Sequence, residues 1–141
     1  MKTPGKTYVL DTSVVVKWFV AEEDSDKADT FMLGFQKGEI NVLVPTLLEY
    51  EVANVLWVKR REGISKEEAV EIMKDLEELN LPTKTAFELM EQAQKFSYKY
   101  DVTIYDAMFL ALAYQHSCEF ITADKKLYNK VKGKLPWVKM L

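Results

Sequence analysis

The sequence predicts an α/β fold, a short parallel β-sheet flanked by helices on both faces. Three observations carry this. Short β-rich runs alternate with longer helical patterns, the rhythm of crossover-connected parallel strands. The chain has 141 residues, 48% of them apolar and 29% charged, the size and balance of one globular domain. No apolar run reaches membrane-spanning length, so neither a transmembrane helix nor a membrane partner is expected.

The elements follow in order. Thr7 to Leu10 is a strand ending at Asp11. Ser13 to Val20 reads as a short helix despite its valines, and Ser25 to Lys37 as an amphipathic helix closed by Gly38. Ile40 to Val44 is a second strand, stopped by Pro45. Thr46 to Arg61 is a long helix closed by Gly63. Ser65 and Glu68 form a capping box that opens a helix running to about Asn80. Leu81 to Lys84 is a short extended piece, followed by helices over Ala86 to Tyr100 and Thr103 to His116. Glu119 to Ala123 is a strand, Asp124 to Lys132 a helix, and Trp137 to Met140 a last strand. The helical hairpin from Thr46 to Asn80 is an insertion in the β/α rhythm. With no repeat, low-complexity segment or linker, a single domain over residues 1–141 is expected.

Composition removes several chemistries. Cys118 is the only cysteine, so no intramolecular disulfide and no cysteine-based zinc site is available, and the cytoplasm is the expected compartment. His116 is the only histidine. It ends an apolar helix, where the helix dipole alone accounts for it. Chemistry therefore falls to carboxylates, hydroxyls or a bound metal. The N-terminus, Met1 to Lys6, leads straight into a short apolar run containing Asp11, too short and too early charged for a signal peptide. The net charge is −3. Residues Glu62 to Glu91 hold nine acids and three lysines, whereas Lys125 to Leu141 holds six lysines and no acid. That basic end can meet phosphates. The overall acidity argues against a non-specific grip on long duplex DNA.

Four acids stand out. Asp11 and Asp124 each follow a strand and precede a helix, where N-capping is the ordinary explanation. In a parallel sheet, however, both lie beyond the carboxyl ends of strands, the edge where open α/β folds bind ligands. Asp106 falls in the first turn of a helix that Thr103 can cap, and the residues that follow, Ala107 to Ala113, are apolar on every face. Such a helix is buried and aims its N-terminus at the sheet edge. Glu51 falls in a stripe with Leu47, Val55 and Val58, and an acid on a core-facing stripe is costly unless paired or metal-bound. Asn54 shares its face and is expected to orient it. Glu49 lies on the opposite side and is expected to be solvated.

Four converging carboxylates repel one another, and a divalent cation removes that conflict. Carboxylate oxygens are the ligands that Mg²⁺ and Mn²⁺ prefer. The chain holds no Gly-rich phosphate loop. Metal-assisted cleavage of a phosphodiester is the reaction class that remains. The hydroxyls of Thr12, Ser13 and Thr122 flank the acids, and Ser13 and Thr122 are favoured as supporting groups.

These residues resemble a known family. Tyr8-Val9-Leu10-Asp11-Thr12-Ser13-Val14 resembles the opening motif of PIN domains, and Glu51-Val52-Ala53-Asn54-Val55-Leu56 their second. Tyr105 to Ala113 resembles the third and Phe120 to Leu127 the fourth, in the family's order and over nearly the whole chain. Size and the lack of other domains look most like VapC toxins of toxin–antitoxin pairs. The resemblance implies a PIN-like fold and an endoribonuclease dependent on Mg²⁺ or Mn²⁺. It carries Asp11, Glu51, Asp106 and Asp124 over as metal-binding and catalytic acids, with a hydroxyl role for Ser13 and Thr122. It further implies an RNA substrate, a homodimer and a small antitoxin protein that occupies the acidic site. Lys125 and Lys126, beside Asp124, are candidates to hold the RNA backbone.

Two other readings of a PIN-like chain are a non-catalytic protein-interaction module and a nuclease of RNA processing rather than a toxin. A phosphoacceptor receiver domain ranks below them, because that class needs paired acids after the first strand and Asp11 is followed by Thr12 and Ser13. Trp18, Phe19, Trp57 and Trp137 suggest a dimer surface, although such side chains more often pack in a core.

Overall fold

The computed structural model describes residues 5–141. The first four residues, on which the signal-peptide expectation partly rests, lie outside the described residues. Five strands form one sheet: β1 (Thr7–Leu10), β2 (Asn41–Pro45), β3 (Thr83–Lys84), β4 (Glu119–Thr122) and β5 (Val138–Met140). The helices are α1 (Thr12–Val15), α2 (Ser25–Gln36), α3 (Leu47–Val58), α4 (Lys66–Glu78), α5 (Ala86–Tyr100), α6 (Ile104–Gln115) and α7 (Lys125–Val131). No helix among the described residues is long and apolar enough to cross a membrane.

The sheet order is β3-β2-β1-β4-β5, and every pairing is parallel. From β1 the chain winds outward to β2 and β3, then returns across β1 to β4 and continues to β5. Parallel crossovers are right-handed, so reversing the direction of winding moves the helices to the other face. Helices α1 to α4 therefore cover one face, and α5 to α7 the other. The order reverses between β1 and β4, and in a sheet of this kind a crevice opens beyond the carboxyl ends of those two strands. The fold class read from the sequence is the one observed.

Local sequence explains most boundaries. The Ser65–Glu68 capping box is formed in both directions at the start of α4. Gly38 and Gly63 end their helical segments at φ of 72° and 103°, values that strain any residue with a β-carbon. Pro45 closes β2 rather than stopping short of it, and the extended piece after Leu81 pairs with it as β3. Helix α3 gives way to a 3₁₀ turn over Lys59–Glu62. Every residue from Ala107 to Ala113 in α6 is buried, as an all-apolar helix requires.

One expectation is corrected. The buried stripe of α3 is Leu48, Val52 and Leu56. The stripe containing Glu51 sits one residue round the helix: Leu47, Glu51 and Val55 are half-buried, and Val58 is 47% exposed. Glu51 thus lies at the margin of the core, facing a cleft, rather than within it. The aromatic residues divide in the same way. Trp18, Phe19 and Trp137 pack against the core, whereas Trp57 is exposed and stacks on the Arg60 guanidinium at 3.8 Å.

Candidate active site

The buried polar or charged side chains among the described residues are Asp11, Thr12 and Thr122, and all three stand at the carboxyl ends of β1 and β4. Asp11 continues the β1–β4 ladder with its backbone, its N–H donating to the Ile121 carbonyl at 2.9 Å. Its side chain is 6% exposed. It occupies the N-cap position of α1, yet its carboxylate caps no helix N–H. Instead Ser13 Oγ and Thr122 Oγ1 both donate to Oδ2, at 2.7 and 2.8 Å. Each hydroxyl is oriented from behind, since Ser13 Oγ accepts from the Ala123 N–H and Thr122 Oγ1 from the Asp124 N–H, both at 3.0 Å. A hydroxyl that accepts from a fixed N–H and donates to a carboxylate has little rotational freedom left. The relay ties Asp11 to the start of the Asp124 segment.

The other acids come from separate elements. Asp124 does cap its helix, Oδ1 accepting from the Lys126 and Leu127 N–H groups. At the start of α6 the Thr103 hydroxyl accepts from the Asp106 N–H at 3.1 Å. With Thr103 as the cap, the Asp106 carboxylate sits in the first turn, half-buried. Glu51 receives a hydrogen bond from Thr12 Oγ1 at 2.8 Å. All four acids line one open cleft of about 460 Å³, together with Thr12, Ser13, Leu47, Tyr50, Asn54, Val55 and Tyr105. The fold brings these acids from four places in the chain to one cleft at the sheet edge.

Burial and mutual proximity raise three of the four carboxyl groups. Burial, and to a lesser degree the Asp124 charge, pushes the Asp11 carboxyl up from its ordinary value, against the pull of Ser13 and Thr122. Burial and the charges of Asp11 and Asp106 raise Glu51. Asp106 is pushed from 3.8 up to about 6, first by burial and then by Asp11 and Asp124. Each carboxylate disfavours charge on its neighbours.

The supporting residues sort unevenly. Ser13 and Thr122 contact Asp11 as described. Asn54 is exposed and makes no hydrogen bond to Glu51 among the described residues. The group that orients Glu51 is Thr12, the third hydroxyl flanking the acids. Lys126 lines a smaller cavity of about 240 Å³ that adjoins the cleft through Asp106 and Asp124. Lys125 lines neither cavity. Lys130, one helical turn beyond Lys126, also lines the smaller cavity and lowers the Asp106 pKa. The i, i+4 spacing of Lys126 and Lys130 was the available signal. His116 is exposed and lines a cavity with Lys6, Thr7 and Glu119, at the amino ends of β1 and β4, so it takes no part in the cleft.

Among the described residues no three acidic, histidine or cysteine side chains gather tightly enough to form a ready-made metal cage. The donor set is nevertheless all oxygen and self-repelling. Magnesium-like ions bind through one or two carboxylates and keep several waters, a requirement that an open cleft with four acids on its walls fits.

Comparison with known proteins gives the context. The model of the PIN domain family matches residues 8–133. Ribonuclease VapC3 of Pyrobaculum aerophilum is 34% identical over 125 residues, spanning 86% of this chain and 92% of the relative. Among solved structures, protein PAE2754 of Pyrobaculum aerophilum superposes with a TM-score of 0.65 at 21% identity, covering 93% of this chain and 90% of the other. A toxin–antitoxin complex from Klebsiella pneumoniae superposes with a TM-score of 0.65 at 16% identity, covering 94% and 95%.

Proposed function

The chain belongs to the PIN-domain family, and from that premise we propose that it is an endoribonuclease of the VapC kind, the toxin of a toxin–antitoxin pair. The observation that carries this reading is the convergence of Asp11, Glu51, Asp106 and Asp124 on one cleft at the switch point of the sheet. The 34% identical relative is named a ribonuclease, which supports RNA as the substrate. One of the similar folds is a toxin–antitoxin complex, which supports a small antitoxin as partner. A homodimer and a cytoplasmic setting complete the proposal.

In this reading the four acids hold Mg²⁺ or Mn²⁺. The bound cation would supply a nucleophilic water at neutral pH and neutralise charge on the phosphodiester. The chain's own residues do the rest. Ser13 and Thr122 fix the Asp11 carboxylate from one side, and Thr12 fixes Glu51. Asp124 spends Oδ1 on its helix cap, which holds its carboxylate in one orientation. Asp106, whose carboxyl pKa is raised by burial and by the neighbouring acids while no cation is bound, would gain most from the charge a cation brings. Lys126 and Lys130 stand beside Asp106 and Asp124, where they would receive the RNA backbone.

The test is incubation of the purified chain with a panel of RNAs, with Mg²⁺, with Mn²⁺ and with EDTA. Cleavage that requires the cation and is lost in Asp106→Asn is expected. Cleavage that persists in EDTA overturns the metal assignment. No cleavage of any RNA under any condition overturns the nuclease reading in favour of a protein-interaction module.

A further inference from the structure

We propose that Tyr50 and Tyr105 are base-stacking residues of the cleft, holding unpaired bases of single-stranded RNA to either side of the phosphate presented to the acids. The inference deepens the ribonuclease reading and rests on it.

Tyr50 precedes Glu51 on α3, and Tyr105 precedes Asp106 on α6. One residue along a helix is a rotation of about 100°, so an acid turned into the cleft leaves its preceding neighbour at the rim. Both rings line the cleft with the acids, one from the α3 wall and one from the α6 wall. Tyr50 is 77% and Tyr105 57% exposed. Among the described residues neither ring has an aromatic or cationic partner, unlike Tyr8, Tyr100 and Tyr114. Phe87 and Tyr98 on α5 are also exposed, but they share no cavity with the acids.

Charge explains why such rings are useful there. The cleft lining carries four acids and no lysine or arginine. The smaller cavity that adjoins it on the α7 side carries Lys126 and Lys130, the latter also bonded to the Asp101 carbonyl. An RNA strand crossing the cleft meets cations on the α7 side, while the α3 residues that line the cleft, Leu47, Tyr50, Glu51, Asn54 and Val55, carry no positive charge. Aromatic stacking is the uncharged, sequence-tolerant grip that remains, because every base has a π-face. Bases within a duplex already stack on one another, so the surface selects loops, bulges or free strands.

The experiment uses a single-stranded RNA decamer carrying 2-aminopurine, the same decamer with abasic positions, and a duplex of equal length. Binding is measured with Mg²⁺ in an Asp106→Asn background, which is expected to hold RNA uncleaved, and cleavage kinetics in the otherwise wild-type chain. Tyr50→Ala and Tyr105→Ala are each expected to weaken decamer binding about tenfold and to reduce 2-aminopurine quenching. KM should rise by a similar factor with little change in kcat, and Tyr50→Phe and Tyr105→Phe should behave as the parent. Abasic and duplex RNAs should bind weakly to every variant.

Alanine variants that bind, quench and cleave like the parent overturn the inference while leaving the ribonuclease reading intact. Phenylalanine variants that fail as alanine does assign the hydroxyl rather than the ring, and overturn it. Alanine variants that change the oligomeric state and leave RNA handling untouched assign the rings to protein contact, and overturn it. A parent chain that neither binds nor cleaves any RNA removes the inference together with the reading beneath it.

Discussion

Replacing Asp106 with asparagine should make the metal-free protein more stable while abolishing cleavage. The carboxyl is raised from 3.8 to about 6 in the folded chain, by burial first and then by the charges of Asp11 and Asp124. Between those two values the folded state binds more protons than the unfolded state, so stability falls as pH rises through the window, and the whole penalty is present above it. A shift of roughly two units corresponds to about 3 kcal/mol at most. Solvent reaching the open cleft reduces this, leaving an expected gain of about 1–3 kcal/mol for the neutral amide at pH 7.5. That is about 3–9 °C in Tm for a chain of this length. The amide is nearly isosteric, and the Asp106 N–H keeps its bond to Thr103 Oγ1. Urea unfolding in EDTA, followed by tryptophan fluorescence, measures the gain. At pH 4.5 it should shrink to about a third, because much of the unfolded-state carboxylate is still ionised there while the folded-state group is protonated. Equal or lower stability of Asp106→Asn at pH 7.5, or a gain independent of pH, refutes the electrostatic account of the cluster.

Other perturbations separate the parts of the site. Thr122→Val removes one of the two donors to Asp11 Oδ2 and strands the Asp124 N–H; a loss of about 1–3 kcal/mol in urea unfolding and a sharp fall in cleavage are expected. Thr12→Val frees Glu51 from its one side-chain partner, so kcat should fall severalfold while Tm moves by no more than a few degrees. Adding Mg²⁺ or Mn²⁺ to the EDTA-stripped chain should raise Tm, and keep raising it with the logarithm of the cation concentration once the site is filled; the rise should disappear in a double variant of Asp11 and Asp106 to asparagine. A cation response that survives those changes places the ion elsewhere.

What could be read in the sequence was whatever local pattern decides. The strands, the helices, the Ser65–Glu68 box and the buried α6 all follow from nearest-neighbour chemistry and periodicity. The register of α3 did not. That helix is apolar on nearly every side, with Leu47 beside Leu48 and Val55 beside Leu56, so two adjacent stripes look equally fit to be buried. The contact with the sheet selects Leu48, Val52 and Leu56. Glu51 therefore stands out in the sequence for burial deeper than it has, and its partner Thr12 cannot be chosen over Asn54 without knowing which way the side chain faces.

The caps show where long-range pairing takes over from local rules. Asp11 and Asp124 have the same local setting, a strand before and a helix after. Asp124 caps α7, and its neighbours Lys126 and Leu127 suffice to explain its geometry. Asp11 leaves its helix uncapped because Thr122, which is 111 residues away in sequence, offers a hydroxyl from the adjacent strand and Ser13 supplies another. Only the return of the chain across β1 to form β4 makes that competition possible. Both kinds of bond to a carboxylate are charge-assisted; what differs is that β4 brings the Thr122 hydroxyl to Asp11 and leaves it buried, so the topology decides which of the two aspartates becomes a buried acid held by hydroxyls. The switch point thus does more than gather the acids: it gives Asp11, Glu51 and Asp124 different hydrogen-bond partners.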